Sequence, residues 1–361
     1  MWNLPCLCSK FVKTRYLIAL VVLGSISLFN AASQTRQTPQ GENLPVDSSK
    51  ASAGLLWRDP GEASTLDMFN GPAGTNGAPV PPFSFQEEQG GGTSAKVLVR
   101  DDNKRLWEVK WGEEVKAEPF AVRIAWAAGY YVEPSYYVSA GRLDNVGALG
   151  RASSMIDRSA GNSFHNARFE LRDDHLQLTP TPGWRLDQNP FLGTNELQGL
   201  KIVAMLVSNW DLKDTRAPDG TNTAIMQFKP DTGTVELRYM VNDWGASMGK
   251  WGGITRRSKW DCKGYTSDNK LFIKGVHGDK VEFGYEGKLT HDVRNGVTVE
   301  NVRWLMQRLG RLTDDQLRAA MKASGATEDE TSCFVPAVRE RLNRLSQIAG
   351  TTTASGGGAS Q

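Results

Sequence analysis

The chain has 361 residues, of which 39% are hydrophobic and 23% charged, with 11 Trp, 13 Phe and 8 Tyr. This composition excludes a wholly disordered, collagen-like or coiled-coil protein and predicts a folded body of one large or two modest domains. The formal net charge is +2, and the first 33 residues hold three basic residues and no acid, so the remainder carries −1. We therefore expect no nucleic-acid partner, because a dedicated nucleic-acid binder usually has a basic surplus.

The first 33 residues have the anatomy of a secretory signal peptide. Lys10, Lys13 and Arg15 precede an apolar run over 16–29, and small residues follow up to Ser33. Fourteen helical residues reach about 21 Å, short of the roughly 30 Å that a spanning helix needs. We expect cleavage near Ser33 and export to the periplasm or the extracellular space. The alternative is an uncleaved N-terminal anchor, which would be the chain's contact with a membrane.

Cysteine usage leaves one question open. Cys6 and Cys8 lie in the leader, so the body contains Cys262 and Cys333, too few for a disulfide scaffold or a four-cysteine zinc site. These two either form a disulfide or remain separate buried thiols.

Composition also divides the body. Residues 34–53 are polar without apolar periodicity, which predicts a disordered linker. Residues 54–89 combine aromatic side chains with many Gly and Pro, which predicts an irregular strap packed on the body. The Gly/Ser/Thr/Ala-rich tail, 351–361, is predicted to be disordered.

A β-hairpin is predicted first in chain order, with strands over 96–100 and 105–111 and turn chemistry at 101–103. Lys110 then lies at the end of a strand. A helix follows from about Glu118 to the stop at Gly129, because Pro119 is tolerated only in a first turn. Residues 130–190 are interpreted as irregular with short strands.

A second set of elements lies downstream. Thr194 or Asn195 caps a helix that ends near Ser208, and a polar loop over 209–222 follows. A second hairpin, 224–228 with 234–241, delivers Asp243 at its end.

Three helices are predicted near the C-terminus, over 299–309, 314–323 and 328–347, with Pro336 as a possible break in the last. Capping boxes at Thr313 and Thr327 mark the starts of two of them.

These elements carry an ordered set of chemically active residues. In order they are a glycine-rich stretch at 90–92, Lys110, an acid at Glu114 or Glu118, Asp211, Asn222 and Asp243. Phosphoryl transfer uses such parts: a loop over the phosphates, a lysine on their oxygens, a glutamate orienting that lysine, an aspartate at the attacking hydroxyl, and ligands for Mg²⁺. The order, rather than any single residue, favours this chemistry.

At these residues the chain, over about 90–250, resembles the divergent protein-kinase-like superfamily, including HipA-type and phosphoinositide 3/4-kinase-like proteins. Gly92-Thr93-Ser94-Ala95-Lys96 is similar to its phosphate loop, and Trp107-Glu108-Val109-Lys110 to its lysine strand. Asn209-Trp210-Asp211-Leu212-Lys213-Asp214 resembles its catalytic loop, and Asn242-Asp243-Trp244-Gly245 its metal-binding Asp-x-Gly. Segments 57–61 and 189–194 also resemble those of exported bacterial proteins of uncharacterised function.

The resemblance implies roles for single residues. Gly92, Lys96 and Lys110 would bind the phosphates of ATP or another nucleotide, and Glu118 would pair with Lys110, with Glu114 in reserve. Asp211 would act as base or hydroxyl orienter, while Asn222 and Asp243 would hold Mg²⁺ or Mn²⁺. Asp211 and Asn222 are eleven positions apart, where kinase catalytic loops have about five. An insertion over 215–220 accounts for the difference.

The resemblance also implies an α+β, two-lobed, atypical kinase-like fold. A small β-rich N-lobe would cover 90–145 and a larger, mostly helical C-lobe 146–350. The function expected is an exported, Mg-dependent phosphotransferase that acts on an unknown protein, lipid or sugar acceptor. The alternative is a catalytically inactive, kinase-like binding protein of the cell envelope.

Other chemistries have less support. The four histidines show no zinc-hydrolase spacing, and no Gly-x-Ser-x-Gly elbow is present. Asp173 and Asp174 could belong to a glycosidase pair, but the separation of carboxylates cannot be derived from a sequence. Several tryptophans and cations in the C-terminal half allow two interpretations: they form a sugar- or anion-binding face, or they are ordinary core and surface residues. They are Trp244, Trp251, Trp260 and Trp304 with Arg256, Arg257 and Lys259.

Overall fold

The structure, a computed structural model, describes residues 55–92, 94–218, 220–252 and 257–350. The predicted signal peptide (1–33), linker (34–53) and tail (351–361) lie outside these ranges. None of the helices within them has both the length and the apolar character that crossing a membrane requires.

The described residues combine strands and helices along the whole chain. The strands are β1 (Phe83–Glu88), β2 (Lys96–Arg100), β3 (Leu106–Lys110), β4 (Ser135–Asp144), β5 (Ile156–Asp157), β6 (Ser163–Arg172), β7 (Leu176–Leu178), β8 (Thr223–Phe228), β9 (Glu236–Val241), β10 (Ile273–His277) and β11 (Lys280–Phe283). The helices are α1 (Ala117–Ala127), α2 (Asn195–Leu206), α3 (Cys262–Ser267), α4 (Thr290–Arg294), α5 (Val299–Leu309), α6 (Asp314–Ala323) and α7 (Glu328–Ala349). Short 3₁₀ turns cover Ala63–Thr65, Gly71–Ala73, Arg151–Met155 and Asn269–Leu271.

The N-terminal half forms a sheet that closes on itself. Its strand order is β3-β2-β1-β4-β6-β5, and β3 also pairs with β6, which joins the two sides into a barrel. Closure leaves β3 hydrogen-bonded on both sides, with Lys110 opposite Lys96 of β2 and Arg168 of β6. Because β3 is hydrogen-bonded on both sides, its backbone position is fixed, and so is the position of Lys110 at its end.

Alternation along the strands separates an apolar interior from a charged outer wall. Trp107 and Val109 of β3 belong to the buried cluster inside the barrel, together with Phe169 of β6. Glu108 and Lys110 alternate with them and therefore face the other side, where the chain continues into α1.

The sheet is larger than the predicted N-lobe of 90–145. Strand β1 lies inside the segment predicted to be an irregular strap, and β6 extends to Arg172. The sheet therefore extends beyond 90–145 at both ends. Strand β6 was missed because β3 lies far away in sequence and β4 is joined to β6 by a long connection that contains β5, so no tight-turn signal announces either pairing.

A second hydrophobic cluster defines the helical lobe. It is built mainly from α2, α5, α6 and α7, and it also contains the apolar face of α1. Two separate cores, one in the barrel and one among the helices, confirm the predicted α+β, two-lobed class. Helix α1 nevertheless packs into the helical core, although it falls within the predicted N-lobe.

Local predictions in this lobe are confirmed. Thr194 caps α2 by accepting the N–H of Leu197, and the predicted capping boxes at Thr313 and Thr327 are present. Pro336 lies inside α7 without ending it. A proline in a helix costs about 3 kcal/mol or more, and we attribute its tolerance to the burial of neighbours such as Phe334 and Val338.

The second predicted hairpin is also confirmed. Strands β8 and β9 pair antiparallel, with Thr223 opposite Val241. Asn222 and Asn242 flank this last pair, and the N–H of Asn242 donates to the carbonyl of Asn222 at 2.9 Å. The open end of the hairpin thus brings Asn222 next to the segment that carries Asp243.

Cys262 and Cys333 form a disulfide, which decides the alternative that the sequence left open. The Cα atoms are 6.2 Å apart and the sequence separation is 71. The bond joins the first residue of α3 to the N-terminal part of α7.

Replacing both cysteines with serine is expected to lower the free energy of unfolding by about 4 kcal/mol, because the bridge restricts a long loop in the unfolded chain. Urea denaturation measures this difference. Adding a reductant should destabilise the wild type to the same extent and leave the double variant unchanged. A wild type that does not respond to reductant would contradict the bond.

Candidate functional site

Lys110 lies where the barrel meets the helical lobe. Its side chain is 15% exposed, and Gly112, with φ at +127°, turns the chain away two residues later. The turn returns Glu114 to Lys110, and the two side chains form an ion pair.

Glu114 is shared by two lysines. Its Oε1 faces Lys110, and its Oε2 lies 2.5 Å from Nζ of Lys259. Burial works against the charge of Glu114, but the two ammonium groups outweigh it and hold its pKa down to about 2. Burial also opposes the charge of Lys110, yet Asp243 and Glu114 raise its pKa above the usual range.

The Asp-x-Gly segment packs directly on this pair. A Cβ placed on Gly245 would lie 3.0 Å from Cβ, Cδ and Oε2 of Glu114, so a glycine allows the close approach. The Gly245 N–H donates to Oδ1 of Asp243 at 2.9 Å, and the Trp244 ring is buried beside them. This packing places the segment of Asp243 beside the pair of Lys110 and Glu114, and the charge of Asp243 contributes to the raised pKa of Lys110.

The predicted catalytic loop is tied to the same place by backbone contacts. Asn209, fully buried, donates from Nδ2 to the carbonyl of Asp243 at 3.1 Å. Asn222 donates from Nδ2 to the carbonyl of Asp211 at 2.6 Å. Asp211, Asn222 and Asp243 are thus connected through two amide side chains, despite the eleven positions between the first two.

The Asp211 carboxylate has cationic neighbours. Nζ of Lys288 lies 2.8 Å from Oδ1, and Nζ of Lys213 lies 3.9 Å from Oδ2. Tyr285, buried nearby, donates its hydroxyl to the carbonyl of Asn209 at 2.6 Å. Burial raises the pKa of Tyr285, and the negative charge of Asp211 adds to the shift.

Glu118 does not form the expected ion pair with Lys110. Its carboxylate pairs with Arg168 of β6, and both side chains are only 2% exposed. Glu114 pairs with Lys110 because it lies in the turn directly after β3. Glu118, in the first turn of α1, faces the barrel wall instead. Burial raises the pKa of Glu118, with Arg168 opposing the shift and Glu170 adding to it.

Arg168 belongs to an ionic cluster on the outer wall of the barrel. It also pairs with Glu108 at 2.9 Å and with Glu170 at 2.7 Å, and Arg172 pairs with both of these glutamates. The cluster joins β3 to β6 and thereby fixes the strand that delivers Lys110.

Gly92 and Lys96 are placed beside Lys110. A Cβ on Gly92 would lie 3.8 Å from Nζ of Lys96, and a Cβ on Gly112 would lie 3.7 Å from Oγ of Ser94. Lys96 and Lys110 are opposite each other in the ladder, so their side chains leave the same face of the barrel. Nζ of Lys96 is 3.6 Å from Glu108.

Asp243 and Asn222 are the candidates for holding a divalent cation. In the ranges that the structure covers, no three His, Cys, Asp or Glu side chains are grouped to bind a metal. Asn222 uses its amide nitrogen on Asp211, which leaves Oδ1 as the side-chain atom that could face a cation. Mg²⁺ commonly takes one or two carboxylates plus substrate phosphates, and Asp243 with Asn222 fits that requirement.

The tryptophans considered for a sugar- or anion-binding face lie in separate parts of the structure. Trp244 is buried in the helical core, and Trp260 packs on Phe334 with ring centroids 4.7 Å apart. Trp210 and Trp251 lie 5.3 Å apart, with the guanidinium of Arg257 5.7 Å from each ring. Trp304 stacks on Trp57 instead, and Arg256 lies outside the described residues.

An open cleft of about 640 Å³ lies elsewhere on the barrel, lined by residues such as Pro82, Arg142 and His165. It contains none of the predicted site residues.

Sequence reasoning missed several contributors. Lys259 appeared only within a cationic cluster, and nothing linked it to Glu114, which is 145 positions away. Arg168 and Lys288 carried no individual signal. The Asn209 side chain directly before Trp210-Asp211 was the one local clue, since a buried asparagine in a loop commonly ties down backbone.

Comparisons with known proteins give only distant matches. No protein-family model and no curated protein matches the sequence. Among solved structures, the Golgi casein kinase with Mn/ADP bound gives a TM-score of 0.35 at 9% identity, over 75% of this chain and 72% of that chain. Another structure of the Golgi casein kinase gives 0.33 at 9% identity, over 75% and 71%.

The Rio2 kinase of Chaetomium thermophilum, in an ADP/Mg²⁺-phosphoaspartate complex, gives 0.28 at 13% identity, over 72% of each chain. All three are kinases, but likenesses at these scores are too remote to assign a function. A function therefore has to be argued from the contacts within this chain.

Glu114→Gln is expected to lower the free energy of unfolding by about 3 kcal/mol at pH 7, because it removes a buried anion from between two partly buried lysines. The wild-type pKa lies below the ordinary value of 4.5, so the stabilisation is present above pH 4.5 and is lost as the pH falls toward 2. Urea denaturation at pH 7 and pH 3 should show the difference shrinking in acid.

Glu113→Gln is the matched control, since Glu113 is the exposed neighbour of Glu114. An equal effect of both substitutions, or a loss that does not depend on pH, would contradict the assigned ion pair.

Proposed function

We propose that the chain is an exported, kinase-like phosphotransferase that moves a phosphate from ATP to an acceptor with Mg²⁺ or Mn²⁺. One observation carries the proposal: Lys110 ends a barrel strand and pairs with Glu114, and the segment that carries Asp243 packs on this pair. A strand lysine held by a glutamate beside an Asp-x-Gly aspartate is the arrangement that kinases use.

Lys110 is proposed to bind nucleotide phosphate oxygens. Glu114, rather than Glu118, orients it, because Glu114 makes the direct ion pair. Since the pKa of Lys110 lies above its usual range, the ammonium stays charged at neutral pH. A fixed positive charge in a partly desolvated site stabilises the charge that develops on the transferred phosphoryl group.

Asp211 is proposed to receive or orient the acceptor hydroxyl. The hydroxyl oxygen bonds to the γ-phosphorus, the bond from that phosphorus to the β,γ-bridging oxygen breaks, ADP leaves, and the hydroxyl proton passes to the Asp211 carboxylate. Asp243 and Asn222 would hold the divalent cation, which neutralises phosphate charge when bound. The hydrogen bonds of Asn209 and Asn222 fix the loop of Asp211 relative to the segment of Asp243.

Gly92 and Lys96 are proposed to complete the nucleotide site. The loop lies against Lys96, and Lys96 lies opposite Lys110 on the neighbouring strand. Two parallel ammonium groups on one face would suit a polyphosphate rather than a neutral ligand.

Export is proposed from the leader sequence and is supported by the disulfide between Cys262 and Cys333, since such bonds persist mainly in oxidising compartments. The acceptor is a protein, a lipid or a sugar. Contact with a membrane is proposed only if the leader stays uncleaved.

A non-catalytic, kinase-like binding protein of the envelope is the second candidate. The ion pair between Asp211 and Lys288 favours it, because at 2.8 Å the ammonium occupies a carboxylate oxygen that the acceptor hydroxyl would have to reach. This candidate requires ligand binding that survives the loss of the Asp211 carboxylate.

Thermal unfolding with ATP and Mg²⁺ or Mn²⁺ tests nucleotide binding. At a ligand concentration one hundred times Kd, binding to the native state adds about 2.7 kcal/mol, so Tm should rise in the wild type. Lys110→Met and Asp243→Asn should abolish the rise. Asp231→Asn, an exposed carboxylate in the β8–β9 turn, should leave it unchanged.

Transfer of labelled γ-phosphate separates the two candidates. We expect Asp211→Asn to keep the metal-dependent rise in Tm and to reduce transfer at least tenfold. Binding without transfer in the wild type would support the non-catalytic candidate. A wild type whose Tm does not respond to nucleotide and metal would exclude a nucleotide site.

A further inference from the structure

Arg151, which lies outside the predicted site, hydrogen-bonds to the backbone carbonyls of the glycine-rich loop. Nη1 of Arg151 donates to the carbonyl of Gly92 at 2.8 Å, and Nη2 donates to the carbonyls of Gly90 at 3.0 Å and Gly91 at 3.1 Å. A longer contact of 3.4 Å reaches the carbonyl of Gln89. One guanidinium therefore contacts four successive carbonyl oxygens, those of residues 89–92.

The segment that carries Arg151 is itself anchored to the barrel. The Glu88 carboxylate, at the end of β1, accepts the N–H of Ala152 at 2.8 Å and also the N–H of Gly150. These backbone hydrogen bonds lower the pKa of Glu88. Glu88 thus fixes the two residues that flank Arg151, so the arginine is held at both its backbone and its side chain.

The other side of the loop is left available. Within the residues that the structure describes, the N–H groups of Gly90, Gly91 and Gly92 have no protein acceptor. Successive peptide N–H groups that are not used by the protein form the kind of concavity that binds anions. The same loop lies against Nζ of Lys96, so an ammonium group stands beside these N–H groups.

We propose that Arg151 is a positioning residue that presents the loop over 90–92 to the polyphosphate of the nucleotide. By engaging the carbonyls, it keeps their negative dipoles away from the ligand and restricts a segment that three glycines would otherwise leave flexible. The proposal rests on the proposed function, because it takes a nucleoside triphosphate as the ligand of this site.

Isothermal titration of ATP with Mg²⁺, compared with adenosine, tests the proposal. We expect Arg151→Ala to raise the Kd for ATP about tenfold and to leave the Kd for adenosine unchanged, because only the phosphates contact the loop. Arg151→Lys should behave like the alanine variant, since an ammonium keeps the charge but lacks the planar fork that reaches several carbonyls.

Arg100→Ala is the matched control. Arg100 is another exposed arginine of the barrel, and it donates to the carbonyl of Lys104 at the opposite end of β2 from Lys96. Its loss should change neither affinity. In the nucleotide-free protein, the amide of Gln89, which donates to the carbonyl of Lys96 at 2.9 Å next to the loop, should exchange faster in both Arg151 variants than in Arg100→Ala.

Three results would overturn the positioning role while leaving the proposed function intact. They are wild-type ATP affinity in Arg151→Ala, full rescue by Arg151→Lys, and equal weakening of ATP and adenosine. If the wild type binds no ATP at all, the proposed function fails and the positioning role fails with it. Exchange of the Gln89 amide that is the same in all variants would show that Arg151 does not order the loop.

Discussion

The ion pair between Lys110 and Glu114 is the contact on which the arrangement of the site depends. Two charges are removed from most of the solvent, and each is compensated by more than one partner: Glu114 by Lys259 as well, and Lys110 by Asp243. Because an uncompensated buried charge is costly, these residues have to meet. Their meeting joins the barrel, the turn before α1 and two segments of the helical lobe.

Behind this contact, polar groups rather than apolar packing fix the geometry. Arg168 and Arg172 hold β3 against β6 through the glutamates on the barrel wall. Asn209 and Asn222 hold the loop of Asp211 to the segment of Asp243. Hydrogen bonds and ion pairs of this kind specify direction, which a hydrophobic contact does not. A site that must position charged phosphates benefits from such directional support.

The sequence predicted much of the fold and part of the site. The two hairpins, the helices α1, α2, α5, α6 and α7 and their caps follow local rules of periodicity and capping, and the structure confirms them. The strands β4 and β6 were not recognised, because a strand inside an aromatic, turn-rich segment is defined by its partners. Lys110 and Asp243 were named in order, but Glu118 was expected as the partner of Lys110 where the structure has Glu114, which had been held in reserve.

The sequence by itself determined where Lys110, Asp211, Asn222 and Asp243 stand relative to strands and loops, since those elements are set by neighbouring residues. Only the tertiary structure decided that Glu114 pairs with Lys110, that Glu118 pairs with Arg168, and that Lys259 and the Cys262–Cys333 bond complete the arrangement. Lys110 and Glu114 are four positions apart, but the other contacts join residues that are close only after the barrel has closed and the helices have packed. Their identity depends on distances in space, which local sequence patterns do not encode.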